Sequence, residues 1–328
     1  LARSGKRVVR LKGGDPLVFG RGGEEALACV RAGIPFEIIP GVTAGIGALA
    51  YAGIPVTHRG FASDVTFVTA HEDPLKRSSQ INWRALAQLK GTLVLFMGVG
   101  TLPKVVRCLM KYGRAPDTPV SMIRWGTTSD QVVVTGTLET IVSRVLKARL
   151  EAPAVAVIGK VNRLRRKLNW FETKCLFGKT VLITRPRKQT SRLRDRLEAQ
   201  GARVLELPTI EIRPVRDFRL LDRVISEISR FDWLIFTSEN GVEAWFNRLR
   251  QLNLDSRSLG RVKIAVIGPG TKAKLNSFWV EADLVPETFT TQGLFKSLEE
   301  IGVPGKKILL VRTDIAPDEL RLALKRSG

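Results

Sequence analysis

The chain has 328 residues, 44% of them hydrophobic, with 53 Lys and Arg against 31 Asp and Glu and a formal net charge of +22. That length allows two or more domains with cores of ordinary size. No apolar run approaches the roughly 20 residues that span a bilayer, and the N-terminus lacks the basic, apolar and small-residue succession of a signal peptide, so a cytoplasmic protein without a membrane partner is expected. Cys29, Cys108 and Cys175 are far apart and only His58 and His71 accompany them, a spacing that offers no zinc site and predicts no metal. The charge is diffuse. Its densest cluster, Arg163, Arg165, Arg166 and Lys167, lacks the interleaved aromatics that stack on bases, so a solvated linker is expected there and no nucleic-acid partner.

In chain order, the first feature is VVRLKGGDPLVFGRGGEE, Val8 to Glu25, where an apolar run feeds a glycine-rich turn with one acid and a helical pattern follows. Gly13 and Gly14 allow positive φ and close approach of a bound molecule, while Pro16 fixes the turn. Asp15 stands at the C-terminal end of the run, where open α/β sheets bind ligands. A glycine pair by itself is more often an ordinary strand-to-helix turn. Strand-like runs at Arg7 to Lys12, Phe36 to Ile39, Val65 to Thr69, Thr92 to Met97, Val120 to Arg124 and Ala154 to Ile158 alternate with helical patterns, an α/β signature. Leu102, Val105, Val106 and Leu109 repeat at helical spacing, as do Ile141, Val142, Val145 and Leu146, and both stripes are expected core.

Periodicity lapses at NWFETKCLFG, which places a linker at 167–178 between a domain at 1–166 and another at 179–328. Beyond it come four β-turn-α units, beginning KTVLITRP, DWLIFTSENGVEAWF, RVKIAVIGPGTKAKL and KKILLVRTDIAPDEL, which predict parallel sheets.

Five segments of the first half, in order, resemble the uroporphyrinogen-III C-methyltransferases, tetrapyrrole methylases that move methyl groups from S-adenosyl-L-methionine to uroporphyrinogen III. They are the GGDP string, PGVTAGIGALAYAGIPVTHRG from Pro40 to Gly60, LVLFMGVGTL around Met97, RWGTTSDQVVVTGTL from Arg124 to Leu138, and APAVAVIGKVNRL from Ala152 to Leu164. The resemblance implies that Gly13, Gly14, Asp15, Val18, Thr43, Ala44, Met97 and Gly126 bind the cofactor, S-adenosyl-L-methionine. It also implies that His58 and Arg59 face the tetrapyrrole, with Arg59 pairing a carboxylate. Outside that context Met97 is more often a core filler, Gly126 a turn residue and Arg59 a surface arginine. His71, in a loop, is assigned no role. The family's proton-handling Asp and Lys would fall before Leu1, so no catalytic acid or base is named.

The second half resembles uroporphyrinogen-III synthase, which closes hydroxymethylbilane into uroporphyrinogen III with inversion of ring D and needs no cofactor. The strand ending in Thr184-Arg185-Pro186, the TSENGV turn from Thr237 to Val242, and VIGPGTKAKL from Val266 to Leu275 stand in that family's order. The fold implied is α/β throughout: a two-lobed methylase-like unit, then a two-lobed parallel-sheet synthase-like unit whose chain should return beyond residue 328. Substrate contacts are expected at Thr184, Arg185, Thr237, Ser238, Asn240 and Thr271, each of which is also what a plain N-cap looks like. Gly268, Gly270 and Ala273 match the GxGxxA dinucleotide pattern, with an acid nearby at Glu281 or Asp283. A lone match is weak, and Lys272 and Lys274 oppose a nicotinamide site.

The combined expectation is a bifunctional enzyme with uroporphyrinogen III and hydroxymethylbilane as substrates, paired as a homodimer through its methylase half. This piece is expected to turn over neither substrate efficiently. Two readings compete: a methylase with a structural C-terminal half, and a basic non-catalytic binding module whose nucleic-acid affinity would fall steeply with salt.

Overall fold

The computed structural model describes residues 1–70, 80–184, 187–313 and 316–327, with backbone alone for 187–191. Two compact units result, Leu1–Glu211 and Ile212–Gly328.

The first unit opens on a 3₁₀ turn, Ala2–Ser4, and then runs without regular structure to Gly13. The expected strands at Arg7 to Lys12 and Phe36 to Ile39 do not form: neither run takes part in a ladder among the described residues. A strand exists only as part of a hydrogen-bonded ladder, and these apolar runs instead show their side chains to solvent, Val9 82% and Leu11 85% exposed. Between them lies α1 (Gly22–Arg31), and after them α2 (Ala44–Tyr51). A five-stranded mixed sheet follows, built from β1 (Val65–Thr69), β2 (Thr92–Phe96), β3 (Pro119–Arg124), β4 (Val132–Thr137) and β5 (Ala154–Ile158) in the order β1-β2-β5-β3-β4. Only β1 and β2 pair in parallel; β5 runs antiparallel to β2 and β3, and β4 antiparallel to β3.

All five residues of β2 are buried, because both faces of the sheet are covered. Leu93 and Leu95 join Met122 and Ile158 beneath the helices α4 (Leu102–Lys111) and α5 (Ile141–Lys147), α3 (Trp83–Gln88) lying between β1 and β2 in the chain. Val94 and Phe96 join Ile123 and Val157 on the other face, under Ala48, Leu49 and Ala52 of α2. The α4 stripe is buried as its spacing predicts. On α5 the stripe is incomplete: Ile141 and Val145 are buried, but Leu146 is 72% exposed, since it lies about 100° around the helix from Val145.

The segment after β5 is solvated in part: Arg163, Arg166 and Lys167 are exposed as expected, whereas Arg165 is not. Through α6 (Arg165–Leu168) and on to Phe171, which is buried, it packs against the end of α2, and Arg165 is half-buried in an ion pair with Glu172 at 2.6 Å. The first unit closes with β6 (Thr180–Ile183), α7 (Arg187–Ala199) and β7 (Arg203–Glu206), a parallel two-stranded pair with its crossover helix.

The second unit is a parallel sheet in the order β10-β8-β9, from β8 (Trp233–Phe236), β9 (Lys263–Val266) and β10 (Ile308–Val311). Phe236, Leu234, Ile264 and Val266 pack on one face with Trp245 and Leu249 of α9 (Glu239–Gln251), Ile225 of α8 (Arg219–Ser226) and Leu275 of α10 (Pro269–Asn276). Trp233, Ile235 and Ala265 pack on the other with α11 (Thr291–Ile301) and α12 (Glu319–Arg326). The alternation of faces along four-residue strands explains why so short a sheet has two cores.

Candidate functional site

In the first unit, three loops converge on α2. Gly14 adopts φ +72°, and a β-carbon there would stand 3.6 Å from the Cα of Thr43 and 3.8 Å from the amide nitrogen of Ala44. At Gly41 a β-carbon would collide with the carbonyl oxygen of Gly14, so the two loops lie backbone to backbone. Asp15 fastens them: the Leu17 N–H donates to Oδ1 at 2.8 Å and the Gly41 N–H to Oδ2 at 3.1 Å. These amides, Leu17 first and Gly41 second, hold the Asp15 carboxyl below the ordinary carboxylate range. Thr43 is buried at the N-cap of α2 and Ala44 is exposed in its first turn.

The end of β2 approaches the same helix. A β-carbon at Gly45 would be 2.7 Å from the Phe96 ring and 2.8 Å from the Phe67 ring, and Phe96 packs on Phe19 of the first loop at 4.9 Å. Met97 then turns away at φ +54°, half-exposed and hence not a core filler. At the end of β3, Gly126 lies so close to Ala48 that a β-carbon would be 2.7 Å from its Cα. Gly14 and Asp15 thus lie at the start of α2 with Thr43 and Ala44, Gly126 lies a turn further along against Ala48, and Met97 follows Phe96, whose ring packs on Gly45. Val18 instead packs into the core beside Phe96. His58 and Arg59 lie exposed on the turn after Val56, where His58 Nδ1 meets the Arg59 carbonyl oxygen at 2.7 Å and its ring meets Phe61 edge-on.

Backbone strain marks the same place. Among the described residues, eight non-glycines have positive φ, and five of them, Phe19, Arg21, Met97, Trp125 and Thr127, lie in these loops. Such conformations cost about 1–2 kcal/mol each and persist where the surroundings over-determine them. Phe19, Trp125 and Thr127 escape sequence reasoning, because left-handed backbone at a bulky residue leaves no compositional signal. Beside Gly13 lies a cleft of about 620 Å³ lined by Arg10, Lys12, Arg21, Glu24 and Glu25. Its cations are already paired, Lys12 with Glu25 at 2.9 Å and Arg21 with Glu24 at 2.7 Å.

In the second unit the loops at the C-terminal ends of β8 and β9 meet. Ser238 caps α9, its Oγ accepting from the Gly241 N–H at 3.2 Å, with Thr237 and Asn240 half-buried beside it. Thr271 is buried in the first turn of α10, and a β-carbon at Gly270 would be 2.6 Å from Oε1 of Glu239. At the end of β10, Arg312 and Arg321 grip Asp318 and lower its carboxyl to about 2, the Arg321 hydrogen bond being the larger cause and the Arg312 bond the next. The acids of the dinucleotide pattern are engaged elsewhere: Asp283 accepts the Ile264 N–H at 2.7 Å, and Glu281 accepts from Asn276 at 2.9 Å. Thr184 belongs to the first unit, exposed, with its carbonyl accepting from Thr209. Arg185 and His71 lie outside the described residues.

Comparison with known proteins gives a name to each half. Residues 1–142 match the family of tetrapyrrole (corrin/porphyrin) methylases, and residues 191–328 match the family described as uroporphyrinogen-III synthase HemD. The chain belongs to the tetrapyrrole methylases and carries a uroporphyrinogen-III synthase domain behind that methylase domain. A "Porphyrin biosynthesis protein HemD" of Ruminiclostridium josui is 36% identical over 96% of this chain and 62% of its own length. An "S-adenosyl-L-methionine-dependent uroporphyrinogen III methyltransferase" of Methanosarcina barkeri is 54% identical over 50% of this chain and 64% of its own. The uroporphyrinogen-III C-methyltransferase of Priestia megaterium is 52% identical over 49% of this chain and 67% of its own. Among solved structures, the uroporphyrin-III C-methyl transferase of Thermus thermophilus complexed with S-adenosyl homocysteine is 38% identical, covering 50% of this chain and 70% of that one, with a TM-score of 0.42. The chain therefore spans about three-fifths of the length of the curated relatives it matches. Among the described residues no helix is long and apolar enough to cross a membrane.

Proposed function

We propose that the chain serves tetrapyrrole biosynthesis in two reactions: methylation of uroporphyrinogen III at carbon by S-adenosyl-L-methionine to give precorrin-2, and cyclisation of hydroxymethylbilane to uroporphyrinogen III with ring D inversion. One observation carries the methylase reading. The ordered segments that resemble methylases are the ones whose glycines meet in the fold, Gly14 against Thr43, Gly41 against Gly14, Gly45 against Phe96 and Gly126 against Ala48.

That arrangement fits the donor. Gly13 has open space where a β-carbon would stand, so the loop offers bare backbone. The first turn of α2 supplies the amide donors that a helix start leaves over, suited to a carboxylate. When bound, the donor supplies a methyl group on a positively charged sulfur that departs as a neutral thioether. The chain's own task is placement: Asp15 fixes the spacing of the Gly14 and Gly41 loops, and Met97 and Gly126 bound the site from the strand ends. In the second unit, the hydroxyls and amides at the starts of α9 and α10, Thr237, Ser238, Asn240 and Thr271, would face a polyanionic bilane and its transient cation.

Calorimetric titration with S-adenosylhomocysteine tests the first half of the reading. Saturable binding, nearly indifferent to salt, is expected, and no binding overturns it. For the second half, the chain is fed anaerobically with porphobilinogen and its deaminase. A small excess of type III porphyrin over the spontaneous type I background is expected, in keeping with inefficient turnover by this piece, and type I alone overturns that part.

A further inference from the structure

Helix α2 is a poor helix by its own sequence. It is eight residues long, AGIGALAY, with two glycines that each cost about 1 kcal/mol relative to alanine, well below the length at which a helix persists alone. Its N-terminal end forms the candidate donor site. At its C-terminal end three side chains from distant segments donate to carbonyls of the last turn and cap, the Ala50 carbonyl also accepting the Gly53 N–H at 3.1 Å. Trp170 Nε1 donates to the Ala50 carbonyl at 3.1 Å, Gln131 Nε2 to that of Tyr51 at 3.4 Å, and Arg165 Nη1 to that of Ala52 at 2.6 Å. A cation at this end also opposes the helix dipole.

The three are tied to one another. Gln131 is 5% exposed, and its amide is fully used: Oε1 accepts the Thr127 N–H at 3.0 Å, while Nε2 also donates to Glu172 Oε1 at 2.8 Å. The other oxygen of Glu172 accepts from Arg165 at 2.6 Å and Asn169 at 3.4 Å. Tyr51 packs between Trp170 at 5.0 Å and Phe171 at 4.7 Å, and Gly53, at φ +69°, leaves room for the Leu168 backbone where no side chain would fit. Thr127 is the strained residue that follows Gly126, so the network reaches the donor site twice, through the helix and through the turn after β3. On its far side the same segment holds the β6–α7–β7 element: the Leu176 N–H donates to the Gln200 carbonyl at 3.0 Å and Lys174 Nζ to that of Ala199 at 2.7 Å.

We propose that the strap from Arg165 to Phe177 is a working part of the donor site, in which Arg165, Gln131, Trp170 and Glu172 are positioning residues that hold α2 and the Trp125–Gln131 turn at the spacing the donor requires. This rests on the methyl-donor reading of the glycine loops. Coupling of this kind is reciprocal, so donor binding also tightens the strap that leads into the second half of the chain.

The test exchanges the buried amide and carboxylate in the full chain. Gln131→Glu sets two carboxylates face to face, and Glu172→Gln leaves one oxygen where two were used, so that its nitrogen meets a donor of either Gln131 or Arg165. The double exchange restores a donor between the two side chains and keeps acceptors for Thr127 and Arg165, and gives up only the 3.4 Å bond from residue 131 to the Tyr51 carbonyl, the source of the residual loss. S-adenosylhomocysteine affinity is expected to fall about tenfold in each single variant and to return within about threefold in the double, the loss expected for a buried hydrogen bond to a charged group. Ligand-free melting, read beside the titrations, separates lost fold from lost positioning. In the unaltered chain, hydrogen exchange of residues 165–177 is expected to slow on adding the same ligand. Single variants that bind as the unaltered chain does overturn the proposal and leave the donor site standing. Exchange unaffected by ligand overturns it even where the variants fail to fold. An unaltered chain that binds no ligand overturns both readings.

Discussion

The ends of the strands carry candidate sites in both units, but the two are assembled from different parts. In the first unit close approach to glycine does much of the joining: a β-carbon would collide with backbone at Gly41, with the Phe96 and Phe67 rings at Gly45 and with Ala48 at Gly126, while Gly14 is marked by its φ of +72°. In the second unit side chains do most of the joining, with Ser238 capping α9, Thr290 capping α11 and Glu239 reaching over Gly270, and Gly293 is the position where a β-carbon would collide with backbone, the Thr288 carbonyl oxygen. A backbone contact admits one residue type, whereas a cap admits Ser, Thr, Asp or Asn. This contrast accounts for the specificity of the methylase strings and the weakness of the synthase motifs.

The largest test of the contrast is Gly126→Val, which drives a branched side chain into Ala48 of α2. Overpacking of this kind costs about 2–4 kcal/mol, and urea unfolding should show that loss together with a drop of more than about 100-fold in S-adenosylhomocysteine affinity. Full affinity in this variant would break the claim that backbone proximity builds the site. Next is Asp15→Asn, which keeps an acceptor for one loop amide and removes the other, for an expected fall of about tenfold. The pH dependence carries the matching sign. Asp15 is held below its unfolded value, so its contribution is complete above about pH 5 and disappears as pH falls through the lowered value, below about pH 4. The Asn variant should lose that acidic limb in affinity titrations across pH. Ser238→Ala, which removes the acceptor for the Gly241 N–H, should cost about 1 kcal/mol in thermal melting and leave S-adenosylhomocysteine affinity untouched. Leu146→Lys should be nearly neutral, within about 0.5 kcal/mol, because its side chain is already in water.

What the sequence made legible follows the same division. The α4 stripe and the strands from β1 to β3 and β5 could be read because periodicity is a local property, whereas Gly14, Thr43 and Gly126 are grouped by the methylase resemblance alone, each reading singly as an ordinary turn or cap residue. Strand β4 lay inside a motif and was not separately expected, since VVVTGT pairs only with β3 and shows no alternation of its own. The runs at Arg7 to Lys12 and Phe36 to Ile39 have strand composition, but pairing depends on a neighbour that composition does not specify. Arg165 read as part of a solvated charge cluster because its partners, Glu172 and the Ala52 carbonyl, are a property of the fold. Gln131 gave no signal at all: a buried glutamine is identified by what surrounds it.

The two unpaired runs near the N-terminus also bear on how the protein behaves in a tube. Val8, Val9, Leu11, Ile38 and Ile39 are exposed on chain with no ladder partner among the described residues, and unpaired apolar runs of strand composition are what recruit a second molecule edge to edge. A net charge of +22 keeps such molecules apart only while its field extends beyond the surface, and the screening length shrinks from about 30 Å at 0.01 M salt to about 3 Å at 1 M. Light scattering should therefore rise as salt is added, so that dilute buffer, rather than the high salt customary for basic proteins, is the condition that keeps the chain dispersed.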